Sequence, residues 1–137
     1  MKIYIAGPLF CKAELKANEE IDRILQVLGH ETYLPQRDGG QFAKMPETVN
    51  GVTKERILFN SDIEALNWCD TLLILLDGRV PDEGACFELG YSFALGKKCI
   101  AYKTDSRSFM FGLDNLMIRE SVETYLHSEE ELKTYFS

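Results

Sequence analysis

One carboxylate stands in an otherwise uncharged stretch of the chain. In the run PDEGACFELGYSFALGK, residues 81–97, Glu88 is the only charged residue between Glu83 and Lys97. The run has the composition of a largely buried helix, and a buried carboxylate is costly unless it is paired or hydrogen-bonded. Buried ionisable groups in a crevice are candidates for chemistry. Glu88 is therefore either a functional carboxylate or one that pairs with an arginine or caps a neighbouring backbone.

Two further acids and a tyrosine are candidates for the same site, and each has an ordinary structural alternative. Asp82 stands at or just before the start of the same helix, where aspartate is a favoured N-cap. Asp62 lies on an earlier helical segment and could simply face solvent. Tyr4 lies on the first predicted strand, on the opposite face from Ile3 and Ile5, and could be a core aromatic.

Several common classes of site are not indicated. The chain has neither G-x-G-x-x-G nor G-x-x-x-x-G-K-[ST], so dinucleotide and P-loop binding are not predicted. Its two histidines, His30 and His127, are far apart in sequence, and we expect no metal and no cofactor. A phosphoacceptor receiver domain would have an aspartate such as Asp77 after the third strand. It would also need an acidic pair after the first strand, which ends in Tyr-Ile-Ala-Gly-Pro here.

Composition limits the partners. The 137 residues carry 15 basic and 22 acidic side chains, a net charge of −7, which argues against non-specific binding to nucleic acid. No apolar run approaches the roughly 20 residues that span a membrane. The chain begins MKIYIAG, from which we expect no signal peptide. Its four cysteines form no C-x-x-C pair, which favours reduced thiols and a cytoplasmic protein.

Hydrophobic periodicity predicts an alternation of strands and helices. Strands are predicted over residues 2–6, 31–34, 71–77, 98–102 and 121–125, and helices over 11–28, 52–68, 83–96, 115–119 and 128–136. The stretch 35–51, rich in Gly, Gln, Pro and Asn, is predicted to be a long loop of functional importance.

This order predicts a single α/β domain over residues 1–137. We expect a flavodoxin-like doubly wound sheet of about five parallel strands with helices on both faces. The uninterrupted apolar run TLLILLD, residues 71–77, is typical of a strand buried on both faces. Ligands of such folds bind at the carboxyl ends of the strands, which here means residues 4–10 and 77–88.

Four motifs, in this order, resemble those of the nucleoside 2-deoxyribosyltransferase family over about residues 2–126. They are K-I-Y-I-A-G-P near the start, F-N-S-D around Asp62, P-D-E-G-A-C-F-E-L-G-Y at 81–91, and D-N-L-M-I at 114–118. The resemblance implies that Glu88 attacks the anomeric carbon, that Tyr4 hydrogen-bonds this nucleophile, and that Asp62 and Asp82 help the base to leave.

The resemblance also implies the substrate contacts. Phe10 would lie against the base, while Asn115 and Met117 would come from a neighbouring subunit of a homo-oligomer and close the sugar pocket. We also predict that Gly7, Gly84 and Gln36 bind substrate, although glycines at 7, 84 and 90 could serve only turns or close helix packing.

The implied reaction is the transfer of 2-deoxyribose between nucleobases through a covalent ester of Glu88. Its partners would be deoxynucleosides and free nucleobases. A hydrolase of the same scaffold, acting on deoxynucleosides or their 5′-monophosphates, is an alternative, although Asn115-Leu116-Met117 favours the nucleoside branch. A non-catalytic nucleotide-binding module is a second alternative.

Overall fold

The computed structural model describes residues 1–137 and contains seven strands and six α-helices. The strands are β1 (Lys2–Ala6), β2 (Glu31–Tyr33), β3 (Thr48–Val49), β4 (Val52–Thr53), β5 (Thr71–Leu75), β6 (Lys98–Tyr102) and β7 (Thr124–Leu126). The helices are α1 (Lys12–Val27), α2 (Pro35–Asp38), α3 (Lys54–Trp68), α4 (Glu83–Ala94), α5 (Leu116–Arg119) and α6 (Glu129–Phe136).

Five of the strands form one parallel sheet in the order β2-β1-β5-β6-β7. This is the flavodoxin-like order, and the predicted α/β fold is confirmed. All five residues of β5 are buried, as an apolar run at the centre of a covered sheet requires. The order reverses between β1 and β5, so the crevice predicted for such sheets lies at their carboxyl ends.

Helices cover both faces of the sheet. Successive side chains of β1 point alternately to one face and to the other. Ile3 and Ile5 belong to the apolar core that α1 and α6 share with the sheet. Tyr4 and Ala6 belong to the other core, with residues of α3, α4 and α5. Tyr4 therefore faces α4, the helix that carries Glu88.

The prediction that residues 35–51 form a loop without secondary structure is wrong. Pro35 opens α2, a favourable first helical residue because its missing N–H needs no partner there. Residues Phe42–Lys44 form a 3₁₀ turn, and β3 and β4 form a small antiparallel hairpin. Asn50 and Gly51, with φ of 51° and 79°, make the tight turn of that hairpin.

Two predicted boundaries also move. The helix predicted from residue 52 begins at Lys54, because Val52 and Thr53 pair in the hairpin and the Thr53 side chain caps the helix. The edge strand predicted over 121–125 is Thr124–Leu126, because the residues after α5 first complete a turn. None of the helices combines the length and apolar character that crossing a membrane requires.

Candidate active site

The Tyr4 side chain, fully buried, donates a hydrogen bond of 2.8 Å from its hydroxyl to Oε1 of Glu88. No lysine, arginine or histidine forms an ion pair with Glu88, and no backbone amide donates to it. The alternatives in which Glu88 pairs with an arginine or caps a backbone are therefore excluded. When Glu88 is ionised, no cation neutralises its charge, and its second oxygen, Oε2, has no hydrogen-bond donor.

Burial, with smaller contributions from the charges of Asp62 and Asp82, raises the pKa of Glu88 to about 8, against the opposing effect of the hydrogen bond from Tyr4. Burial and the charge of Glu88 hold the pKa of Tyr4 far above its ordinary value. Tyr4 thus stays a donor at any accessible pH. Glu88 exchanges its proton near neutral pH, where a small change in its surroundings decides its charge.

Asp62, on α3, is half-buried and faces the Tyr4–Glu88 pair rather than open solvent. Its Oδ1 accepts a hydrogen bond of 3.1 Å from the hydroxyl of Tyr33. Burial raises the pKa of Asp62, and the hydrogen bond from Tyr33 opposes that rise. An acid whose proton is retained by burial is suited to protonating a leaving group.

Asp82 is the N-cap of its helix, and it also lies near Glu88. Its Oδ2 accepts a hydrogen bond of 2.8 Å from the amide of Ala85, so it is the N-cap of α4. The same carboxylate is close enough to Glu88 to raise the pKa of Glu88. The cap therefore fixes a second acid at the site.

A groove of about 560 Å³ lies at the carboxyl ends of β1 and β5, and of Glu88, Asp62 and Asp82 only Asp82 lines it. Its wall includes Asp82, Gly84 and, at the rim, Phe10, whose side chain is 78% exposed. At Gly84 a Cβ would lie 3.1 Å from Oδ2 of Asp82, so glycine leaves room for the cap. At Gly7 a Cβ would lie 3.0 Å from that of Leu75, so glycine permits the close approach of the two chain segments.

The predicted base contact Gln36 is not brought to the carboxylates in the single chain. Its Nε2 donates to the Leu15 carbonyl at 2.9 Å and to Oε1 of Glu19 at 3.3 Å. Its Oε1 accepts from Asn18 at 2.9 Å, and the same Asn18 amide donates to the Pro8 carbonyl. Gln36 thus ties α2 to α1 and to the segment after β1.

Asn115 and Met117 also lie apart from the groove of their own chain. Oδ1 of Asn115 caps α5 by accepting from the Met117 amide at 2.9 Å. Both residues line a different cavity of about 490 Å³ on the other side of the α4 N-terminus, and Met117 is 73% exposed.

Sequence reasoning missed Tyr33 and Gly39. Tyr33 pairs with Tyr4 across the parallel strands, and the two rings are stacked with centroids 5.2 Å apart. A Cβ at Gly39 would lie 3.4 Å from both the Tyr33 hydroxyl and Oδ1 of Asp62. The neighbouring tyrosines in the first two predicted strands, KIYIA and ETYL, were the available indication of this contact.

The match to a family sequence model over nearly the whole chain makes this α/β protein an enzyme that acts on N-glycosidic bonds. More closely, the chain belongs to the nucleoside 2-deoxyribosyltransferase family, whose sequence model matches residues 3–131. The family acts on small-molecule nucleosides and nucleobases. No curated protein matches the chain.

Solved structures agree with this assignment. A 2-deoxyribosyltransferase from the psychrotolerant bacterium Bacillus psychrosaccharolyticus is 28% identical with a TM-score of 0.81, covering 98% of this chain and 92% of its own. A conserved protein from Enterococcus faecalis V583 is 27% identical with a TM-score of 0.80, covering 99% and 96%. A CMP N-glycosidase from Clostridium botulinum, 18% identical with a TM-score of 0.62 over 98% and 96%, shares the fold.

Proposed function

We propose that this protein transfers 2-deoxyribose between nucleobases by double displacement, with Glu88 as the nucleophile. The observation that carries the proposal is the Tyr4–Glu88 pair, a largely buried carboxylate oriented by one hydrogen bond and neutralised by no cation. Glycosidic cleavage passes through an oxocarbenium-like transition state. An uncompensated negative charge below the sugar stabilises the positive charge that develops there.

In the first displacement, a carboxylate oxygen of Glu88 bonds to C1′ of the deoxynucleoside. The C1′–N bond breaks, and its electron pair leaves with the base. Oε2 suits this attack because Tyr4 occupies Oε1. The product is a 2-deoxyribosyl ester of Glu88, and the absence of a 2′-hydroxyl makes the cation-like transition state easier to reach.

The departing base needs a proton, because a purine or pyrimidine anion is a poor leaving group. Asp62 is the acid best suited to supply it, since burial favours its protonated form. Asp82, fixed at the α4 N-terminus, is the second acid within range. The reactive arrangement has Glu88 ionised and the acid at the base protonated.

In the second displacement, an acceptor base attacks C1′ from the face that the first base left. Two inversions give net retention, and the acid that lost its proton takes one from the incoming base. Transfer rather than hydrolysis requires that water be kept from the ester. We propose that Asn115 and Met117 of a neighbouring subunit in a homo-oligomer cover the groove for this purpose.

The charges around the groove favour nucleosides over 5′-monophosphates. Four acids, Glu14, Asp77, Asp82 and Glu83, and one arginine, Arg79, line it, together with apolar residues and glycines. Just before α1, the amides of Phe10 and Cys11 already donate to Oε2 of Glu14, so these two donors are not available to a phosphate.

Hydrolysis is the second candidate, because water reaches the groove freely in a single chain. It uses the same ester of Glu88 and differs only in the acceptor. The test is to incubate the protein with thymidine and adenine in phosphate-free buffer and to measure thymine and deoxyadenosine by chromatography. Equal amounts of both products support transfer. Free deoxyribose in place of deoxyadenosine indicates hydrolysis, and dependence on added phosphate would contradict both candidates.

A further inference from the structure

We propose that Tyr33 is a positioning residue of this site, which holds Asp62 in the orientation that protonates the leaving base. The inference rests on the proposed function and adds to it a residue outside the four predicted catalytic side chains. Three features of the structure carry it: the pairing of Tyr33 with Tyr4, its hydrogen bond to Asp62, and the cover that α2 provides.

Tyr33 is held in place by the sheet. Tyr4 and Tyr33 occupy paired positions on neighbouring parallel strands, so their side chains point to the same face. Their rings stack with centroids 5.2 Å apart and an angle of 20° between planes. The ring of Tyr33 therefore has little freedom to turn, and its hydroxyl is fixed relative to that of Tyr4.

The hydroxyl of Tyr33 selects one oxygen of Asp62. It donates to Oδ1 at 3.1 Å and also contacts Oγ of Ser61 at 3.2 Å. Because Tyr33 donates to Asp62, Ser61 is left to donate to Tyr33. A carboxyl group that accepts at Oδ1 carries its own proton on Oδ2. In this arrangement Oδ2 of Asp62 carries the proton that is transferred to the base.

The end of α2 closes over this contact. A Cβ at residue 39 would lie 3.4 Å from Oδ1 of Asp62 and 2.7 Å from the Pro35 carbonyl oxygen, so only glycine allows the chain to pass. Oδ2 of Asp38 accepts from the Leu34 amide at 2.8 Å and anchors the same turn. The end of α2 therefore packs directly against the hydroxyl–carboxyl contact on one side, while Tyr33 and Ser61 line an open cavity.

Each of the two reacting carboxyl groups thus has its own tyrosine donor, Tyr4 for Glu88 and Tyr33 for Asp62. The stacked rings join the two pairs and set the separation between the nucleophile and the acid. Removal of the Tyr33 hydroxyl alone should leave the stacking and Tyr4 in place and release the carboxyl group of Asp62.

The experiment compares Tyr33→Phe with the matched control Tyr91→Phe. Tyr91 donates from its hydroxyl to Oδ1 of Asn67 at 3.0 Å, so the control also removes one hydroxyl donor to a side-chain oxygen. With thymidine as donor, Tyr33→Phe should lower kcat about tenfold with little change in KM, as expected for loss of one buried hydrogen bond. Tyr91→Phe should retain the wild-type rate.

Two readouts separate positioning from a structural role. With 2′-deoxy-5-fluorouridine, whose base leaves more readily as an anion, the loss caused by Tyr33→Phe should shrink to about threefold or less. In the Asp62→Asn background, Tyr33→Phe should cause no further loss, because its effect acts through Asp62. Equal losses with the two donors, or an added loss in the Asp62→Asn background, would overturn the inference while the proposed function stands.

A different result would contradict the proposed function itself. Wild-type protein that releases no base from either nucleoside would overturn both. If wild type transfers deoxyribose and Tyr33→Phe melts at a much lower temperature, the 2′-deoxy-5-fluorouridine rate still decides. A rate close to wild type supports positioning, and a proportional loss with both donors overturns it.

Discussion

Tyr4 and Glu88 are 84 residues apart in the chain and are joined by a hydrogen bond of 2.8 Å at the centre of the site. The bond fixes one oxygen of the carboxylate but supplies no positive charge. A lysine or arginine in the place of Tyr4 would have neutralised Glu88 and weakened its attraction to a sugar cation. The tyrosine therefore orients the carboxylate at little cost to its nucleophilic and electrostatic function.

The substitution Glu88→Gln should lower deoxyribosyl transfer by about 10³-fold or more, the scale of loss when a nucleophile is removed. The amide keeps the size of the side chain but can neither form the ester nor stabilise the cation. Intact-protein mass spectrometry of wild type with thymidine alone should detect a deoxyribosyl adduct on the peptide that contains Glu88. Glu64→Gln, which changes an exposed acid on α3, is the control. An adduct on Asp62 or Asp82 would refute the assignment.

The stability of the protein should depend on pH through Glu88. Its pKa in the fold, about 8, lies above the ordinary value of 4.5, because burial favours the protonated form. The associated stability is fully present below pH 4.5 and is lost as pH rises through about 8. Glu88→Gln carries no such group, so relative to wild type it should gain on the order of a few kcal/mol of unfolding free energy between these limits.

Urea unfolding of both proteins at pH 5 and pH 9 measures this difference. Glu64→Gln again serves as the control, and its stability relative to wild type should change little between the two pH values. If the unfolding free energy of Glu88→Gln exceeds that of wild type by the same amount at both pH values, Glu88 does not titrate as described.

Loss of the Tyr4 hydroxyl should shift the pH dependence of the first displacement. The hydrogen bond from Tyr4 lowers the pKa of Glu88, so Tyr4→Phe should raise that pKa and move the ionisation of the nucleophile to higher pH. The rate of adduct formation, measured from pH 5 to 10, should begin to rise at higher pH than in wild type. An unshifted profile with a uniformly lower rate would mean that the hydroxyl orients Glu88 without affecting its charge.

The sheet and the buried carboxylate Glu88 could be predicted because both depend on local composition. The run Thr71–Leu75 is apolar throughout, and it forms the fully buried central strand. Glu88 stands alone among uncharged residues, and the fold places it at the predicted crevice. In both cases burial of a charged or polar residue costs so much free energy that buried segments are recognisable by their apolar composition, and a charged residue within one stands out.

The contacts of Tyr33 could not be predicted in the same way. Its partner Asp62 is 29 residues away, and the contact depends on the register of β2 against β1 and on the packing of α3. The hairpin over residues 48–53 was missed for a different reason. Its strands have two residues each, so no alternation marks them, although Asn50-Gly51 is a favourable hairpin turn.

Subunit mixing should test whether the active site is shared. The segment 109–117 exposes several large apolar side chains, which are Phe109, Met110, Phe111, Leu113, Leu116 and Met117. A buried ion pair between Lys103 and Asp114 anchors it just before Asn115. Exposed apolar surfaces of this size are typical of protein–protein interfaces. Because Asn115 and Met117 do not line the groove of their own chain, we expect this surface to pack against the groove of a neighbouring subunit.

Asn115→Ser is the suitable variant, because serine is also a favoured N-cap and should preserve α5 while removing the amide. Light scattering should find wild type and both variants in the same oligomer, and each of Asn115→Ser and Glu88→Gln should be at least about tenfold less active alone.

When the two inactive variants are unfolded together and refolded as a mixture, hybrid oligomers should regain activity. A hybrid pair contains one site with both Glu88 and a neighbour's Asn115 intact. Random assembly of pairs therefore predicts about a quarter of the wild-type activity. A mixture of Glu88→Gln with Asp62→Asn should regain nothing, because both residues belong to the same chain's site. An active wild-type monomer, or no recovery in the first mixture, would mean that each chain completes its own site.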